Sequence, residues 1–314
     1  MMELKTDALK RIVGENFGFD IPPAKLLEAA TSNETEERGD NRGNAIMQFD
    51  QELKSRAGYR FLNNLFNEQK NAEDMLQMAD EMLQEDPGSS TKDDKVDISL
   101  FNECIDGASK EYNDDLKVYW AKLVAGEIRN PGTYTKRLAL LLRSLSQKDA
   151  ERIRQLTQYV IYTYKKDDAF FFRYKNSPLS FADLSYLSEL QIIDSADNIV
   201  KQMRFGDENG GERFYIHGDV IMYVEIRKKE YDMPIYSITE LGKELLQIID
   251  EKEINMAYIK GFSESIVKSS KNTINVTGGH VQIKGDEMFI LNDDTYFKYP
   301  ADENNNQSEG DKKD

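Results

Sequence analysis

The sequence predicts an α+β protein, mainly α: an N-terminal helical bundle, then a smaller α+β module, then a β-rich end. Three observations predict it. Apolar residues recur every three or four positions from Ala45 to about residue 164, the helical period. At Ala169 to Tyr174 the sequence turns short and aromatic, as strands do. Beyond that, alternating runs are separated by Gly-rich punctuation.

The elements follow in order. Leu4, Leu9, Ile12 and Val13 suggest a short helix before a Gly-Phe-Asp turn, and Pro22-Pro23 could open a second. Thr31 to Asn44 is polar and reads as a linker, so residues 1–44 read as short helices and a polar linker. Ile46, Phe49, Leu53, Leu62, Leu65, Phe66, Met75, Leu76 and Leu83 make one apolar stripe, with Gly58 as a potential break. Asp86-Pro87-Gly88 stops it. Ile98, Phe101, Ile105 and Ala108 mark the next helix, and Leu116, Trp120, Leu123, Val124 and Ile128 the one after. The Asn130-Pro131-Gly132 turn then leads to a helix with Leu138, Leu141 and Leu142. Ser146 with Asp149 suggests a capping box before Ile153 and Leu156. Residues 45–165 thus read as an antiparallel bundle.

Residues 166–252 read as a module: strand 169–174, helix 180–190, a hairpin of 200–205 with 212–226 around Gly206 to Gly211, strand 234–238 and helix 239–249. That order suggests a winged-helix type. A helix at 254–267 and strands 273–276, 280–284 and 287–291, with Gly-Gly and Gly-Asp turns between them, fill 253–300. Residues 301–314 read as a disordered acidic tail.

Charge narrows the function classes. The net charge is -16, and it divides as −11 over 1–134, +2 over 135–230 and −7 over the remainder. An acidic chain is repelled by nucleic acid except in its middle third. There Lys136, Arg137, Arg143, Lys148, Arg152, Arg154, Lys165 and Lys166 form a basic region. Nucleic-acid binding through Lys136, Arg143, Arg152, Arg154, Lys165 and Lys166 is the alternative reading. Against it, the helix 181–190 that would enter a groove carries Asp183 and Glu189 but no Lys or Arg. An apolar run reaches five residues at Leu138 to Leu142, far short of the roughly 20 a bilayer span needs. With no signal-peptide core and one cysteine, the chain reads as cytoplasmic and free of internal disulfides.

Catalytic and metal chemistry find little support. Cys104 sits beside an apolar helix face, where a thiol is inert. His217 and Asp219 share a strand face but lack a third ligand, and His280 lies elsewhere. No phosphate-binding glycine loop or nucleophile elbow occurs. No catalytic residue, metal or cofactor is therefore assigned. Trp120 reads as core packing. Glu127 and Arg137 flank the Pro131-Gly132 turn and could pair across it.

Trp120-Ala-Lys-Leu-Val-Ala-Gly-Glu127, the Pro131-Gly132 turn, Arg137 and Leu145-Ser146-Gln-Lys-Asp-Ala150 together resemble a bacterial family of unknown function. That family carries a WAKLLAGE-type helix, a Pro-Gly turn and an Arg-bearing helix. Ile238-Thr-Glu-Leu-Gly-Lys-Glu-Leu245 is similar to its LTxxGxxL segment, which also occurs in Abi-alpha abortive-infection proteins. Lys136-Arg137-Leu138 departs from the family's Arg-Thr-Leu. The resemblance covers roughly 59–250 and implies a fold and a bacterial setting but no catalytic residues, with phage defence implied only through the abortive-infection relatives. Together with the amphipathic helices and the lack of a catalytic constellation, it leads to a bacterial interaction or regulatory protein in phage defence or stress response. A protein partner is expected, with a homo-oligomer as one form of it. The seam would lie at Leu62, Leu65 and Phe66, because a 45–85 helix outruns the core of a small bundle.

Overall fold

A computed structural model describes residues 6–7, 9–10, 41–86, 96–163, 168–172, 174–194, 201–205, 211–217, 220–226, 231–250, 253–271, 274–284 and 287–299. The fold is α+β and mainly α. Residues 12–13 and 22–23, Lys165, Lys166, Asp219 and the tail 301–314 lie outside that description, as do the side chains of Phe49, His217 and His280.

Two compact units divide the chain, residues 1–147 and 148–314. The division falls before the change of composition at Ala169, so that all but the first residue of the helix at 147–156 is grouped with the strands that follow it.

The first unit is built on α1, Asn41–Glu85, a single helix of 45 residues and about 65 Å. It begins inside the segment that the sequence reads as linker. Once a helix is nucleated, each further residue adds a hydrogen bond, so polar Asn41 to Asn44 extend it at little cost. Gly58 does not break it: glycine costs a helix interior only about 1 kcal/mol. Around α1 pack α2, Ile98–Ser109, and α3, Asp114–Arg129, while α4, Lys136–Ser144, lies against α2. Caps fix the starts. Asp97 accepts the N–H groups of Ser99 and Leu100, and Asn113 accepts that of Leu116. Ala72, Met75, Leu76, Ala79 and Leu83 of α1 are buried, as are Leu100, Phe101, Cys104, Trp120, Leu123 and Leu138. Ile98, expected on the inner face of α2, is exposed instead; Leu100 and Cys104 rotate inward beside Gly107, which admits the indole. Arg129 closes the far end of α1 by donating to the carbonyls of Met82 and Asp86, where a cation complements the helix dipole.

The second unit opens with α5, Gln147–Leu156, and carries an eight-stranded sheet. Its strands are β1 Ile161–Thr163, β2 Ala169–Phe171, β3 Lys201–Phe205, β4 Gly211–His217, β5 Val220–Ile226, β6 Tyr231–Ser237, β7 Ile274–Lys284 and β8 Glu287–Tyr299. They run in the order β3-β6-β2-β1-β4-β5-β7-β8, with every named pair antiparallel.

The expected hairpin of 200–205 with 212–226 does not form. β3 pairs with β6, Lys201 opposite Ile235, while β4 turns directly onto β5 with His217 opposite Val220. Only Gly218-Asp219 separates that pair in sequence, a shorter interval to close than 206–210. Likewise 273–276 and 280–284 are not two strands. β7 runs through Gly278 and Gly279, where the register against β8 shifts, and two residues without Cβ absorb the bulge.

Three helices join the sheet: α6 Phe181–Glu189, α7 Glu240–Ile248 and α8 Met256–Ser269. Ser180 and Asp183 form a reciprocal capping box on α6. Thr239 caps α7, and an isolated bridge joins Ile193 to Ile238. The core gathers Phe170, Phe172, Met222, Val224, Tyr258, Ile259, Phe262 and Ile266. Tyr258 is fully buried, and its hydroxyl donates to the Phe172 carbonyl while accepting the Phe172 N–H, each at 2.7 Å. Burial pushes the Tyr258 phenol well above its ordinary range. Tyr174 donates to the Tyr258 carbonyl, across Gly261, where any Cβ would strike the phenol.

Tyr258→Phe removes one oxygen that satisfies two buried backbone groups. It should destabilise the second unit by about 1–3 kcal/mol. Amide exchange should then accelerate at Phe172, which checks it.

Candidate interaction surface

The motif around Pro131 builds a locked turn. Glu127 is 3% exposed, and its carboxylate accepts the Gly132 N–H at 2.8 Å and the Tyr134 N–H at 3.3 Å. Gly132 takes φ +86, a conformation that side chains disfavour. Gly126 leaves room for the Tyr134 ring, which a Cβ there would meet at 2.6 Å. Thr133 donates its hydroxyl to the Asn130 carbonyl at 2.6 Å. Glu127 thus engages the amides of its own turn, and Arg137 stands exposed in the first turn of α4. Trp120, at 2% exposure, fills the interior against Gly107.

Three arginines of the basic region face carboxylates. Arg143 faces Glu103 at 3.5 Å and Asp106 more closely. Arg152 pairs with Asp183 at 3.1 Å and lies 4.0 Å over the Tyr186 ring. Arg154 sits 3.6 Å from Glu151. Burial works against the Asp183 carboxylate, yet the Ser180 hydroxyl and the Arg152 guanidinium together hold its pKa below the usual value. Burial raises the Tyr186 phenol, and its hydrogen bond to Asp149 adds to that. Lys136 and Lys148 are exposed at the starts of their helices.

Among the described residues no three of His, Cys, Asp and Glu gather as metal ligands would. Cys104 is buried, and burial first, then the charges of Glu127 and Glu103, push its thiol far up. Such a thiol does not supply a nucleophile. No described helix is long and apolar enough to cross a membrane.

What remains is an apolar surface on α1. Its downstream half packs inside the first unit, whereas Leu53, Tyr59 (76% exposed), Phe61 (60%), Leu65 (41%) and Phe66 (56%) face solvent, and Leu62 is half-buried. Sequence periodicity singled out Leu62, Leu65 and Phe66 but passed over Tyr59 and Phe61. A count of large side chains per turn, rather than of strict period, would have found both. Isolated exposed apolar residues are ordinary, whereas this helix exposes several aromatics and leucines within fourteen positions.

Residues 55–262 match the family described as protein of unknown function (DUF2806). No curated protein and no solved structure matches the chain.

Proposed function

The chain belongs to the DUF2806 family, and we propose that it is a non-enzymatic bacterial interaction protein working in phage defence or stress response. The exposed apolar half of α1 carries this reading, because it offers a protein partner aromatic anchors on a rigid helix. The similarity of Ile238 to Leu245 to the Abi-alpha segment supports the defence setting. A winged-helix character for the second unit is supported by α6, the Ile193–Ile238 bridge, the β3–β6 pair and α7 in sequence. Because α6 displays acidic rather than basic residues, that module suits protein contacts better than a DNA groove.

The test is made in bacterial cells. Leu65→Asp with Phe66→Asp should leave the purified chain as stable as before, since both positions are exposed. Protection against phage should nevertheless be lost, and unchanged protection would reject the reading. Duplex DNA should give no salt-dependent mobility shift, because Arg143, Arg152 and Arg154 already face carboxylates. A shift abolished by Arg152→Glu with Arg154→Glu would move the assignment to nucleic-acid binding through Lys136, Arg143, Arg152, Arg154, Lys165 and Lys166.

A further inference from the structure

We infer that the exposed half of α1 pairs antiparallel with the same half of a second copy of this chain, the two helices crossing at Phe61. The inference rests on the interaction-protein reading above and names its partner.

Helix geometry supplies the first step. Ala57, Gly58, Phe61 and Leu65 stand eighteen residues before Met75, Leu76, Ala79 and Leu83. Eighteen residues make five turns at about 3.6 residues each, so the two sets share one face. The later four are buried in the first unit, while the earlier four are exposed. The same face of the helix therefore carries apolar residues over 57–65 and again over 72–83, with Glu68 between them, and its cover stops near Asn71.

Charge supplies the second step, and it selects the occupant. Lys54 lies seven residues before Phe61 and Glu68 seven residues after it, so both fall within about 20° of Phe61 around the helix, on the line of the stripe and two turns to either side of its centre. In an antiparallel pair centred on Phe61, Lys54 of each copy stands opposite Glu68 of the other. The two-fold axis makes that contact twice. The same register sets Ala57 opposite Leu65 and Gly58 opposite Asn64, small against larger. A parallel pair would put Lys54 against Lys54 and Glu68 against Glu68, which repels. Nothing lies within 4 Å of where a Gly58 Cβ would stand, and a residue without a side chain lets a second backbone approach closely.

Sedimentation velocity of the full chain at micromolar concentration tests the pairing. The wild type should run as a dimer. Lys54→Glu and Glu68→Lys should each weaken it about tenfold by placing like charges in register. The double exchange, Lys54→Glu with Glu68→Lys, should restore it, which a merely structural role for either residue would not do. A monomeric wild type would overturn the pairing, as would a double exchange no tighter than the single ones. A monomer whose 57–68 amides are strongly protected from exchange would place the chain's own residues on the face, and would equally overturn it. Failure here is distinguishable from failure of the functional reading. A monomer that still loses phage protection with Leu65→Asp and Phe66→Asp keeps the protein-partner role. A restored dimer without any such loss keeps the pairing alone.

Discussion

Glu127→Ala is expected to make the first unit unfold about 3 kcal/mol more easily, although it removes a residue far from any chemistry. The carboxylate is nearly inaccessible and satisfies the N–H groups of Gly132 and Tyr134 on either side of the turn. Alanine leaves both donors facing a void that its small side chain cannot fill. The turn itself has little with which to compensate, because Gly132 holds a positive φ and Pro131 has no N–H to offer. Glu127→Gln keeps the shape and one acceptor oxygen but turns an NH₂ toward the other amide, so it should lose roughly half as much. Urea denaturation followed by far-ultraviolet dichroism gives the ranking wild type, Gln, Ala. A Glu127→Ala chain as stable as wild type would mean that the turn is not held from its acidic side.

Trp120→Ala should be the most damaging single change, at about 3–5 kcal/mol. The indole is the largest fully buried side chain, and it lies against α2 where Gly107 omits a side chain. A Cβ at Gly107 would stand 2.5 Å from both Cη2 and Cζ2, and a ring locked in a close-packed interior has nowhere to move. Gly107→Ala alone should therefore destabilise by about 1–3 kcal/mol. In the Trp120→Ala background the same change should become nearly neutral, because the clash has gone and glycine's helical penalty is relieved. Additive losses in that cycle would show that the ring and the glycine act separately.

The helices were legible in the sequence where cap and stripe coincide. Thr239 before Glu240, and Ser180 with Asp183, set the starts of α7 and α6 through hydrogen bonds that any reader of the residues can place. Strand partners were less legible. Residues 212–226 look like one continuous alternating run, and only the short Gly218-Asp219 interval marks where it folds back. Gly278-Gly279 carries the composition of a turn yet serves as a bulge inside β7, because neighbours on both sides hold the strand. The basic region shows a further limit. Arg143 and its partners Glu103 and Asp106 are dozens of positions apart, so the occupation of its fork follows from tertiary packing alone. The stripe of α1 is plain from period, but where α2 and α3 cease to cover it is set by their lengths and crossing, which period does not contain.

Trp120 has a second consequence, an optical one. It is the chain's sole tryptophan and belongs to the first unit, while the second unit gathers the packed phenols of Tyr159, Tyr174 and Tyr258, the last of them fully buried. Indole emission therefore follows the first unit alone, and the near-ultraviolet dichroism of the packed tyrosines follows chiefly the second. Each half of the molecule carries its own spectroscopic label without modification. If the two denaturation curves superimpose, the units melt as one cooperative body; if they separate, each has a stability of its own.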